Sequence, residues 1–102
     1  MYLIQILLPL YDNDRQPIPP GAFDLVRQEL VNRFGGLTAY IRSPASGIWK
    51  ENPHLTIQDE IVIYEIMVTT IDTFWWREYR NELSKRFRQE ELIVRSMEMM
   101  LL

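Results

Sequence analysis

The spacing of apolar positions switches between continuous runs, alternation and helical steps. Tyr2-Leu3-Ile4-Gln5-Ile6-Leu7-Leu8 is rich in Ile and Leu and too short for a helix of its own, so it predicts a buried strand. The polar stretch from Tyr11 to Pro20 predicts a loop, because Pro19 and Pro20 have no N–H to give to a ladder or a helix interior. Proline is tolerated in a first helical turn, which places a helix start near Pro20. Phe23, Val26, Leu30 and Phe34 then recur at three- and four-residue steps and make one apolar face. Glu29 and Arg33 are expected to pair at i,i+4 on its outer side. Gly35 suits the left-handed position that closes such a helix.

Leu37 to Arg42 predicts a second strand, closed or bent by Pro44 and Gly47. Ile48-Trp49 is an apolar island before the polar Lys50-Glu51-Asn52-Pro53-His54. The β-branched run Ile61–Val68 predicts a third strand. Asp72 can cap a second helix, from Thr73 to about Arg88, whose inward stripe is Trp75, Trp76, Tyr79, Leu83 and Phe87. Leu92 to Met97 makes the last strand. The order strand, helix, strand, strand, helix, strand predicts an α+β chain. It is a single ferredoxin-like βαββαβ domain over residues 1–102, a four-stranded antiparallel sheet with both helices on one face. That architecture hosts many unrelated activities, so it leaves function open.

Alternation within the strands is more informative. Ile4, Ile6, Leu8, Val62, Tyr64 and Ile66 share one face, while Leu3, Leu7, Ile61, Ile63, Met67 and Met97 share the other. With the helices on one side, the second apolar face also calls for cover. A homodimer through the open sheet face is the favoured reading. The rival is that the loop from Ser43 to Gln58, carrying Trp49, folds over the face of its own chain.

The exceptions on that second face are Gln5, Glu65 and Arg95, with Tyr40 and Arg42 joining from the second strand. A carboxylate among Ile and Met is costly unless paired or solvated. Glu65 either pairs with Arg42 or Arg95 across strands and sets the register, or forms part of a polar patch that orients a small ligand.

Composition narrows the chemistry. Eleven Lys and Arg against 14 Asp and Glu give a formal net charge of −3, which provides no global attraction for nucleic acid or anionic lipid. Without cysteine there is no disulfide, thiolate or Cys-based metal chemistry. One histidine, His54, offers no metal-ligand spacing, and neither a metal nor a cofactor is expected. As a general base His54 would need a carboxylate such as Asp59 or Glu60. No phosphate loop, nucleophile elbow or RNA-recognition strand appears. The arginines of the second helix are interleaved with Glu78 and Glu82 and read as a solvated face, and Trp75-Trp76 reads as core. The opening apolar run has no basic flank, and Pro9 and Asp12 follow too soon for a membrane span. A cytoplasmic protein without membrane or nucleic-acid partners is expected.

Phe34-Gly35-Gly36-Leu37-Thr38-Ala39-Tyr40, followed by Arg42, Pro44, Gly47 and Trp49, resembles a family of small uncharacterised bacterial proteins of about this length. The resemblance runs through Trp75-Trp76 and Arg86-Phe87-Arg88-Gln89-Glu90. It implies a ferredoxin-like, dimeric domain and supplies no catalytic residues. A more distant likeness, of fold only, is to dimeric α+β-barrel proteins, which include small monooxygenases and isomerases.

Two functions follow as expectations. The first is a non-enzymatic homodimeric binding or interaction domain with a small-molecule ligand in its cleft. The alternative is a cofactor-independent enzyme of the dimeric-barrel kind acting on a small, partly apolar substrate. For that alternative Glu65 is the candidate base or orienting carboxylate, with His54 peripheral. Arg42 would bind an anion, Tyr40 and Trp49 would line the pocket, and Gln5 and Arg95 would complete the polar patch.

Overall fold

The computed structural model describes residues 1–48 and 56–102, with side chains described outside 41–60. The chain runs β1 (Tyr2–Pro9), α1 (Pro20–Phe34), β2 (Thr38–Ile48), β3 (Thr56–Val68), α2 (Thr73–Arg86) and β4 (Val94–Glu98). The strands form one antiparallel sheet in the order β2-β3-β1-β4, the ferredoxin-like βαββαβ topology. Strands adjacent in the sheet are thus not always adjacent in sequence, and β1 and β3 take the centre.

The core lies between one sheet face and the two helices. Ile4, Ile6 and Leu8 of β1 and Val62, Tyr64 and Ile66 of β3 meet Val26 and Leu30 of α1 and Trp76, Tyr79 and Leu83 of α2. Phe87 and Leu92, between α2 and β4, complete it. Burying each large apolar side chain contributes roughly 1.5–3 kcal/mol. Phe34 stacks on Trp76 with ring centroids 5.3 Å apart, and Trp75 stacks on Tyr79 at 4.7 Å. The paired tryptophans therefore belong to the core and its rim.

Local signals close the helices as their residues require. Gly35 adopts φ 83°, and its N–H donates to the Val31 carbonyl at 2.8 Å. Asp72 caps α2, its Oδ1 accepting the Trp75 N–H at 3.0 Å. The helix stops at Arg86, short of Arg88. Arg88 turns to φ 52° without being glycine, and Gln89 secures the exit by donating its N–H to the Ser84 carbonyl and its amide to the Tyr11 carbonyl.

The Tyr11–Pro20 connection is folded tightly around Asp12. This buried carboxylate accepts the N–H groups of Asp14 and Gln16 at 2.8 and 2.9 Å, and Arg88 reaches its second oxygen at 3.4 Å.

Two expectations are corrected. Glu29 does not pair with Arg33: it turns toward α2 and takes Arg86, while the Arg33 guanidinium lies 4.1 Å from the centroid of a Trp75 ring. Of the segment expected as a loop over 43–58, residues 43–48 and 56–58 are strand. β2 continues to Ile48 and β3 starts at Thr56, with Ala45 opposite Asp59 and Ile48 opposite Thr56. The register shifts between Arg42 and Ala45, next to Pro44, whose missing N–H breaks the ladder there. The described parts of the expected cover thus pair with each other as neighbouring strands.

Candidate functional site

The sheet register sets a single polar row on the face opposite the helices. Thr38 of β2 lies opposite Glu65 of β3, Glu65 opposite Gln5 of β1, and Gln5 opposite Arg95 of β4. Three of the sequence-predicted residues are thereby joined. Arg95 Nε donates to Gln5 Oε1 at 2.7 Å, and Gln5 Nε2 donates to Glu65 Oε1 at 2.7 Å.

Of the two arginines considered as partners of Glu65, Arg95 does not reach it directly. β1 stands between their strands, so the two residues are separated by two strand spacings, about 10 Å. Gln5 fills the gap. Arginine has only donors, so the Gln5 oxygen must face Arg95, which leaves the Gln5 amide N–H for Glu65. The relay orients a nearly buried amide, and through it the carboxylate.

Apolar rows flank the polar one. Leu3 is opposite Met67 and Met97 on one side; Leu7 is opposite Ile63, which is opposite Tyr40, on the other. Ile63 is buried yet lies outside the helix-side core cluster, so its cover comes from its own face. Met67 is 57% exposed, and Tyr40, Met97 and Ile93 are also exposed. Beside the α1–β2 turn this face dips into an open concavity of about 520 Å³ lined by Leu3, Gly36, Thr38, Tyr40, Glu65 and Met67. A fixed carboxylate over an apolar floor suits a small ligand that carries a cation or a hydrogen-bond donor on an apolar body.

Tyr40 stands one row from Glu65 on the adjacent strand. The Arg42 backbone is opposite Ile61; its side chain, with Trp49 and His54, lies outside the described residues. Thr38 is a site residue that strand alternation alone did not single out, because its place depends on the β2–β3 register. Among the described residues no group of three or more His, Asp or Glu could hold a metal ion, and no helix is long and apolar enough to cross a membrane.

The fold and this site define a ferredoxin-like α+β domain with a polar relay on its open face. A solved structure of a phage SAM lyase in complex with S-methyl-5'-thioadenosine is similar to it, with a TM-score of 0.60 at 16% sequence identity over 95% of this chain and 80% of that one. At that identity the likeness is one of fold. No family model matches the chain, and no curated protein matches it.

Proposed function

We propose that this chain is a small cofactor-independent enzyme that acts on a small, partly apolar substrate at the open sheet face, as a cytoplasmic homodimer in which a second copy covers that face. The observation that carries the reading is the Arg95–Gln5–Glu65 relay at the edge of an apolar concavity. Such an arrangement holds a carboxylate in one orientation before substrate arrives, which is what a base or an orienting anion needs. Glu65 has that role; Gln5 and Arg95 are positioning residues that act through it. Tyr40 lines the pocket beside Thr38. Arg42, Trp49 and His54 are proposed from sequence as anion-binding, lining and peripheral groups.

The fold-level neighbour suggests the substrate class. Its bound compound is a thioether nucleoside, polar at one end and apolar at the other. S-Adenosylmethionine carries a sulfonium cation, which a fixed carboxylate beside an aromatic ring can attract. The exposed apolar residues Met67, Tyr40, Met97 and Ile93 support cover by a second copy.

The test is incubation of the purified protein with S-adenosylmethionine, following S-methyl-5'-thioadenosine by chromatography. Turnover that Glu65→Gln removes, with the fold intact by circular dichroism, is the expected result. Ligand binding without turnover would overturn the enzymatic reading in favour of a binding domain, and turnover unchanged in Glu65→Gln would remove the carboxylate from the mechanism.

A further inference from the structure

We propose that a second site, distinct from the open-face concavity, binds small organic anions in the cleft between α2 and the edge strand β4. The open cleft has a volume of about 210 Å³ with Arg77 and Arg80 on its helix side; Arg95 borders it, but its side chain turns to the opposite sheet face, toward Gln5. Ile4, Trp76 and Val94 give it an apolar base, and Thr73 and Ser96 also line it. No Asp or Glu is among its lining residues.

Charge is what makes this cleft unlike the rest of the surface. Arg77 and Arg80 lie three residues apart on one helix, where like charges repel unless an anion stands between them. Among the described residues neither takes part in an ion pair, whereas Arg27, Arg86 and Arg88 each have a carboxylate partner. A chain with a net charge of −3 thus sets two arginines of one helix beside one apolar hollow.

Guanidinium forks match carboxylate and phosphate groups two bonds at a time, which fixes the polar end of the ligand. The buried Trp76 and the Ile4–Val94 base fix the other end as apolar. The volume is below the roughly 300–1,000 Å³ of sites for drug-sized molecules, so the body attached to the anion is short. An aryl phosphate or a short aryl carboxylate has this shape.

Phenyl phosphate titrated at constant ionic strength, read by heat and by the arginine Nε–H resonances, tests the site. Saturable binding is expected, weakened by about tenfold or more in Arg77→Ala/Arg80→Ala. Arg27→Ala, far from the cleft in role, should leave it unchanged. Inorganic phosphate should bind more weakly because it leaves the apolar base uncovered, and phenylpropionate shows whether a carboxylate serves as well. Should the double variant misfold, the single Arg77→Gln and Arg80→Gln variants carry the same expectation. Absence of saturation, equal loss in Arg27→Ala, or equal affinity for inorganic and phenyl phosphate would overturn the proposal. Glu65→Gln should retain this binding, so the site stands or falls separately from the open-face activity.

Discussion

Arg86 of α2 grips Glu29 of α1 with both ends of its guanidinium, Nη1 donating to Oε1 and Nη2 to Oε2 at 3.0 Å, while the Tyr79 hydroxyl donates to the same Oε1 at 3.3 Å. Glu82, one turn before Arg86, accepts its Nε at 3.2 Å. A fork of this kind fixes the distance and rotation of the two helices over the sheet in a way that apolar packing alone does not.

The first prediction concerns acid. The Arg86 hydrogen bonds hold the Glu29 carboxyl below its ordinary value of 4.5, outweighing the opposing effect of burial. A depressed folded value gives stability that is present above the unfolded value and is lost as pH falls through the folded one. Both side chains are partly exposed, so solvent screening limits the contribution to about 0.5–1 kcal/mol. Urea melts of wild type and Glu29→Gln should differ by that amount near neutrality and converge in acid. A gap that stays constant down to about pH 3 would contradict this assignment.

Alkali should act through the tyrosines. Burial raises the ionisation of Tyr79 well above 10, helped by the Glu29 charge, and burial also raises that of Tyr64. A raised folded value gives stability that is complete below the unfolded value and lost as pH rises through the folded one. The melting temperature should therefore fall as pH climbs beyond about 10, with phenolate absorbance appearing as the protein unfolds. In Tyr79→Phe this fall should be smaller; an identical fall would assign the alkaline transition elsewhere.

Gln5 should resist replacement despite lying opposite the helix-side core. Gln5→Leu removes both relay bonds and is expected to cost about 1 kcal/mol. Gln5→Glu sets a carboxylate against Glu65 and should cost more near neutrality, easing as pH falls and one carboxylate takes up a proton. Denaturant midpoints of the two variants across pH distinguish repulsion from simple loss of packing, because only Gln5→Glu should recover in acid.

Leu83 is fully buried in the α2 stripe, and Leu83→Ala should lower stability by about 2–5 kcal/mol. Gly35→Ala tests a different cause. Nothing lies within 4 Å of an added Cβ there, so the cost, about 1 kcal/mol, comes from holding alanine at φ 83°. Equal stability of Gly35→Ala and wild type in urea would show that the turn relaxes to another closure.

Much of the architecture was legible in the residues themselves. Gly35 and Asp72 announce helix ends because each acts within one turn of its own position. The alternation Ile61-Val62-Ile63-Tyr64 places alternate side chains on opposite faces because the strand period is two, whatever the strand pairs with. Patterns of this kind were enough for the βαββαβ order, and they put Gln5, Glu65 and Arg95 on one face.

Tertiary structure decided which of those residues touch. A slip of one residue between β1 and β3 would turn every side chain of one strand to the other face, so the Arg95–Gln5–Glu65 contact exists only through the register that the whole sheet adopts. The same holds for Glu29, whose local partner Arg33 lost to Arg86, 57 positions away, because α1 and α2 lie side by side on the sheet. The cleft beside Arg77 and Arg80 has the same origin: its two charges are neighbours on a helix, and its apolar base arrives from Ile4 of β1 and Val94 of β4 only when the chain folds. Local order follows from steric and hydrogen-bonding limits that reach a few residues, whereas a site is made of groups distant in sequence that the packing of helices on a sheet brings together.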